Sequence, residues 1–181
     1  MVRRILEHID KKRAALGLPA YEPQKFGRSG DARMLEIEAL PPEQRAKVET
    51  LLLNARARQG KEDPARQNER YGIASRIRPI DQLAWLHAAS VGETNAVLPV
   101  IEAIGNDHPN MSVLLTTGTV TSAQLAGARL PPRAMHQYLP LHNPGYIQRF
   151  LDHWRPDLAV LVESEIWPNL FASLKRARAP L

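Results

Sequence analysis

Cysteine is absent from this 181-residue chain, which excludes disulfides and thiolate metal sites and suits a reducing compartment. Long apolar runs are missing too. No stretch approaches the roughly 18 consecutive apolar residues of a membrane-spanning helix, and the N-terminus lacks the apolar core of a secretory signal. A spanning segment is therefore not expected within the chain. Negative charge is in deficit, with 19 Asp and Glu against 24 Lys and Arg, a net +5 that favours an anionic partner. Aromatics are scarce in the basic stretch, where only Tyr71 interrupts the arginines and no RNA-binding motif is matched. That argues against nucleic acid.

What remains is an ordinary composition, 44% hydrophobic and 24% charged, with chain enough for one core. Residues 1–57 read as a helical extension. Ile5, Leu6 and Ile9 mark a first helix, broken near Gly17 and Pro19. Pro41, Pro42 and Glu43 open a second, with Val48, Leu51 and Leu52 as its apolar stripe. Residues 58–80 read as a basic linker. Its charges are expected either to stay in water or to meet anionic headgroups.

After Pro79 the pattern becomes regular. Strands are predicted over Leu83–His87, Ser112–Thr116, Met135–Leu139 and Leu158–Val162, with helices following Gly92, Thr121, Asn143 and Trp167. Such β-α alternation predicts an α/β fold, a Rossmann-like parallel sheet over 81–181 with helices on both faces. A fifth strand is expected where the sequence reaches Ala179, Pro180 and Leu181.

Two glutamate-bearing segments follow strands: HAASVGE from His87 to Glu93, and ESEIWPN from Glu163 to Asn169. Parallel strands collect such turns on one sheet edge, so Glu93 and Glu163 can share a cleft. Glu93 in a first helical turn is either a carboxylate complementing the helix dipole or a general base. Ser90 and Gly92 bring free N–H groups and a close backbone approach to the same turn. Glu163, directly after five apolar residues, is expected to be partly buried and to need a partner or a purpose. Glu165 stands before Pro168 as a turn or capping residue, and Asn169 as a helix-start ligand or lid contact. Trp167 reads as packing, and His87 as a hydrogen-bonded structural histidine more than a catalyst. Thr117 is open to a phosphate or sugar, whereas Thr121, with Gln124 three residues on, reads as a capping box. His142, Asn143 and Pro144 read as a helix entry, and no histidine pattern has zinc-ligand spacing.

Taken together, RQGKEDPARQNERYG, WLHAASVGE, LLTTGTVTSAQ and QYLPLHNPGYIQRFLDHWRPDLAVLVESEIWPN resemble the amino-terminal half of bacterial 3-deoxy-D-manno-octulosonic acid (Kdo) transferases, from about Arg58 to Leu181. The resemblance implies a GT-B glycosyltransferase, inverting and free of cofactor and metal. Such an enzyme moves Kdo from CMP-Kdo to a lipid A precursor at the cytoplasmic face of the inner membrane. By motif match, Glu93 is the proton acceptor and Glu163 the transition-state stabiliser. His87, Ser90, Gly92, Thr117, Glu165 and Asn169 are the acceptor-binding or supporting residues. His142 stands where the family pattern leads us to expect an aspartate, and a polar segment stands where an apolar anchor is usual. The CMP-binding second domain is expected beyond these residues, and the chain alone is expected not to turn over. The competing expectation is a non-catalytic module that binds an anionic glycolipid in the same cleft.

Overall fold

The computed structural model describes residues 40–162, which lie in one compact unit. Four strands, β1 (Gln82–Ala88), β2 (Met111–Thr117), β3 (Ala134–Tyr138) and β4 (Leu158–Leu161), form a parallel sheet in the order β3-β2-β1-β4. All four expected strands are present, each shifted by at most about a residue at either end, the usual uncertainty of element boundaries. Five helices accompany them: α1 (Pro42–Ala57), α2 (Gln67–Arg70), α3 (Val91–Asp107), α4 (Val120–Arg129) and α5 (Pro144–Trp154).

Strand order explains the layering. The chain adds β2 and then β3 on one side of β1, and returns to place β4 on the other. Right-handed crossovers then put α3 and α4 on one face and α5 on the opposite face. The two cores follow that division. Ala84, Leu86, Ala88, Val113 and Leu115 pack with Val97 and Ile101 of α3 and Ala126 of α4. Leu83, Trp85 and Leu114 point the other way, onto Ile147, Phe150, Leu151 and Trp154 of α5. With both faces covered, the central strands are buried almost throughout, and their middles, Leu83 to Leu86 and Val113 to Leu115, are unbroken apolar runs.

The amino-terminal half of the unit departs from expectation. In residues 58–80, Arg66, Arg70 and Arg78 are spent on the fold, whereas Arg58 and Arg76 stay exposed. Arg66 and Arg70 donate to the carbonyls of His136 and Leu139 at the end of β3. Arg78 donates to the Trp154 carbonyl at the end of α5, at 2.7 Å. Between these anchors the segment is sewn along α5 by Arg149 to the Tyr71 carbonyl, by Gly72 against Tyr146, and by His153 to the Arg76 carbonyl. A buried carboxylate, Glu69, closes the upper end. It accepts from Arg66 twice (2.9 and 2.8 Å), from Ser75 Oγ (2.5 Å) and from the Tyr138 amide (2.7 Å).

Helix α1 joins this unit through Arg56 to Glu62 and Glu49 to Asn143. Its buried residues are Glu49 and Leu53, while Leu51 of the expected stripe is half exposed. The first expected helix, the helix after Trp167 and the fifth strand lie outside the described residues.

Candidate functional site

Because β1 lies between β2 and β4, the strand order reverses beside it, and the carboxyl ends of β1 and β4 flank the crevice where open α/β sheets hold ligands. The Val162 amide donates to the His87 carbonyl at 3.1 Å, so the two chains stay paired up to this edge. Strand β1 then runs through Ala89 to Ser90, which is extended and caps α3. An added Cβ on Gly118 would meet the Ala89 carbonyl oxygen at 3.4 Å, so the turns after β1 and β2 lie side by side.

Glu93 folds back onto this turn. Its Oε2 accepts from the Ala89 amide and its Oε1 from Ser90 Oγ, both at 2.7 Å, while Ser90 Oγ accepts from the Glu93 amide at 3.3 Å. The pair is thus a capping arrangement, and the dipole-complementing role expected for Glu93 is present. The carboxylate is also half-buried at the switch-point edge, with its orientation fixed by two donors. Capping and proton transfer are compatible, since each carboxylate oxygen accepts more than one hydrogen bond. Gly92 is exposed, and an added Cβ would meet only Ser90 Oγ at 3.9 Å, so the protein's own packing does not require glycine there.

His87 lies on the α5 face, one row below the edge, and is buried. Its Nδ1 is 3.1 Å from the Thr116 carbonyl and 3.0 Å from Thr116 Oγ1. A carbonyl only accepts, so Nδ1 carries the hydrogen. Burial pulls the His87 pKa down to about 4, against the opposing bond to Thr116 and the charge of Glu93. The imidazole is thus held neutral under the turn by burial and its bond to Thr116.

Thr117 ends β2 at the same edge of the sheet. It is fully buried, and its hydroxyl pairs with His136 Nε2 at 2.9 Å. Thr121 is not the cap of α4. Thr119 holds that position, its hydroxyl accepting from the Ser122 amide at 3.2 Å, because the helix starts at Val120 and the cap must precede it. Asn143 does enter α5 as expected, accepting from the Gly145 amide at 3.0 Å. Glu163, Glu165 and Asn169 lie outside the described residues, so their approach to Glu93 is not part of this geometry.

Sequence reasoning missed Glu49, Glu69 and His136. Burial drives the His136 pKa down to about 3, helped by Arg66 and Arg76. The available signal was composition: acids at Glu62 and Glu69 interleave with Arg56, Arg66 and Arg70, and those opposite charges pair with each other.

Comparison with known proteins points to one family. The family model described as 3-deoxy-D-manno-octulosonic-acid transferase (kdotransferase) matches residues 65–181. A probable mitochondrial 3-deoxy-D-manno-octulosonic acid transferase of Arabidopsis thaliana is 38% identical over 122 residues, covering 67% of this chain and 27% of that protein. The 3-deoxy-D-manno-octulosonic acid transferase of Rickettsia typhi is 45% identical over 86 residues, 48% of this chain and 19% of the relative. That of Haemophilus influenzae is 38% identical over 107 residues, 59% and 25% respectively. The chain therefore spans about a quarter or less of these relatives' length. With the matched segment covering more than half of its residues, the chain belongs to the Kdo transferase family of glycosyltransferases.

Proposed function

We propose that this chain is the acceptor-side part of a transferase that moves Kdo from CMP-Kdo to a lipid A precursor, and that Glu93 is its base. One observation carries the reading: the Glu93 carboxylate is fixed by Ala89 and Ser90 at the switch-point edge, where a bound sugar would lie. Glu93 takes the proton of the acceptor hydroxyl as its oxygen bonds to the anomeric carbon of Kdo and CMP leaves with the bonding electrons. Glu163, the residue after Val162, stabilises the charge that develops in that step. The donor is held by a second α/β domain of the transferase. His87, Ser90, Gly92, Glu165 and Asn169 support the acceptor side.

The protein works at the cytoplasmic face of the inner membrane, bound peripherally. No helix among the described residues is long and apolar enough to cross a membrane. Exposed Arg58, Lys61 and Arg76 are the basic residues of the 58–80 segment left to meet anionic headgroups.

The test is a transfer assay on the chain joined to the carboxyl-terminal half of a curated relative. Glu93→Gln is expected to slow transfer at least about 100-fold, the usual contribution of a general base, with acceptor affinity little changed. Transfer at the parental rate would remove Glu93 from the mechanism. Saturable glycolipid binding with no transfer by any such fusion would favour the non-catalytic module instead.

A further inference from the structure

Helix α1 lies wholly before residues 65–181, the segment shared with the transferase family. Yet it places a carboxylate, Glu49, at one of its two buried positions, where an apolar side chain would pack at no desolvation cost. Its partners explain the choice. Asn143 Nδ2 lies 3.3 and 3.4 Å from the two Glu49 oxygens, and the Tyr146 hydroxyl also bonds to Glu49. Burial and that bond together push the Tyr146 pKa up to about 12, so the phenol stays a donor.

A carboxylate accepts and cannot donate, so Glu49 decides which way the Asn143 amide turns. Nδ2 must face Glu49, and Oδ1 is thereby delivered to the Gly145 amide at 3.0 Å as the cap of α5. The Asn143 carbonyl then receives the amides of Tyr146 and Ile147, each at 3.0 Å. From the other side, Arg70 Nη1 donates to the Leu139 carbonyl at 2.5 Å and the Leu141 amide donates to the Arg70 carbonyl at 2.8 Å. The loop from Leu139 to Asn143, at the carboxyl edge of the sheet, is thus held from two directions.

We propose that Glu49 is a positioning residue that, through Asn143 and Tyr146, fixes the β3–α5 loop at the ligand edge and makes α1 a working part of the acceptor-side unit. Its effect on ligand binding rests on the reading of that edge given above; its effect on the loop does not.

The experiment uses the full 181-residue chain. Amide hydrogen exchange is followed at Gly145, Tyr146 and Ile147 against Leu86 and Leu115 in the sheet, and lipid A precursor is titrated calorimetrically at a temperature where each variant is folded. Glu49→Ala is expected to speed exchange at the three loop amides at least about tenfold with the sheet amides unchanged, and to weaken precursor binding about tenfold. Glu49→Gln, which keeps an acceptor oxygen, is expected to restore both to within about threefold. Should Glu49→Ala fail to fold, Tyr146→Phe removes one of the two bonds and is expected to speed the same three amides selectively. Uniform or absent changes in exchange would overturn the brace. Wild-type affinity in a locally loosened Glu49→Ala would reduce it to a structural role and overturn the positioning claim. If the unsubstituted chain does not bind the precursor, the acceptor-side reading fails, and the exchange result still decides whether Glu49 holds the loop.

Discussion

The buried carboxylate of Glu69 accepts the amide hydrogen of Tyr138 at 2.7 Å, joining the segment before β1 to the last residue of β3 across 69 positions of sequence. The same carboxylate neutralises Arg66, whose guanidinium also stacks over the Tyr138 ring, 4.8 Å from its centroid. Removing it strands one buried amide and one half-buried cation together. Glu69→Ala is expected to cost about 3 kcal/mol, the low end for breaking a buried pair because Arg66 retains some water. Urea unfolding measures this; a loss below about 1 kcal/mol would mean that the carboxylate is replaceable by solvent.

Two buried histidines make the fold sensitive to acid. His87 and His136 have folded pKa values near 4 and near 3, below the ordinary 6.5, chiefly through burial. A histidine held neutral when folded contributes its full stability above pH 6.5. It loses that contribution as pH falls toward the folded pKa, because only the unfolded chain gains the proton. Stability is expected to fall below pH 6.5 by about 1.4 kcal/mol per pH unit for each histidine until about pH 4. His136→Gln should roughly halve the slope. Urea midpoints that stay flat between pH 6.5 and 4.5 would contradict both assignments.

The capping assignment separates two neighbouring threonines. Thr119 accepts from the Ser122 amide, whereas Thr121 is exposed within the first turn. Thr119→Ala is expected to cost about 1 kcal/mol and Thr121→Ala no more than about 0.5 kcal/mol in thermal or urea unfolding. The reverse order would restore the cap that the Thr121 and Gln124 spacing suggests.

Gly60 and Gly72 both have positive φ, +69° and +75°, but only Gly72 is crowded. A Cβ there would overlap the Tyr146 carbonyl oxygen, while one on Gly60 would meet nothing within 4 Å. Gly60→Ala is expected to cost about 1 kcal/mol, the backbone term alone. Gly72→Ala adds the overlap and is expected to cost about 2–4 kcal/mol. Equal losses would mean that the segment before β1 is not seated on α5.

The strands were legible because burial on both faces writes itself into the sequence as unbroken apolar runs, as in Leu83 to Leu86 and Val113 to Leu115. Glu93 was legible as a first-turn carboxylate for the same local reason: a strand end, a cap and a glycine lie within a few residues of it. Arg66, Arg70 and Arg78 were not. Their partners are main-chain carbonyls about 70 positions away, which carry no residue-specific signal, so a charge run that is mostly structural reads as solvated. In α1 the apolar residues misled. Leu51 faces solvent while Glu49 is buried, because a distant asparagine and tyrosine gave the carboxylate something to hold.

The strap before β1 also sets an order of events during synthesis. Glu69, Arg70 and Arg78 leave the ribosome early, but Tyr138, Leu139 and Trp154, whose main-chain groups they bind, follow 69, 69 and 76 residues later. Until β3 and α5 have emerged, these three charged side chains lack their main-chain partners and have only neighbours such as Arg66 and Glu62 to pair with. A nascent chain can therefore assemble β1, α3 and β2 as a local unit, but it cannot close the other face of the sheet until the last turn of α5 has been made.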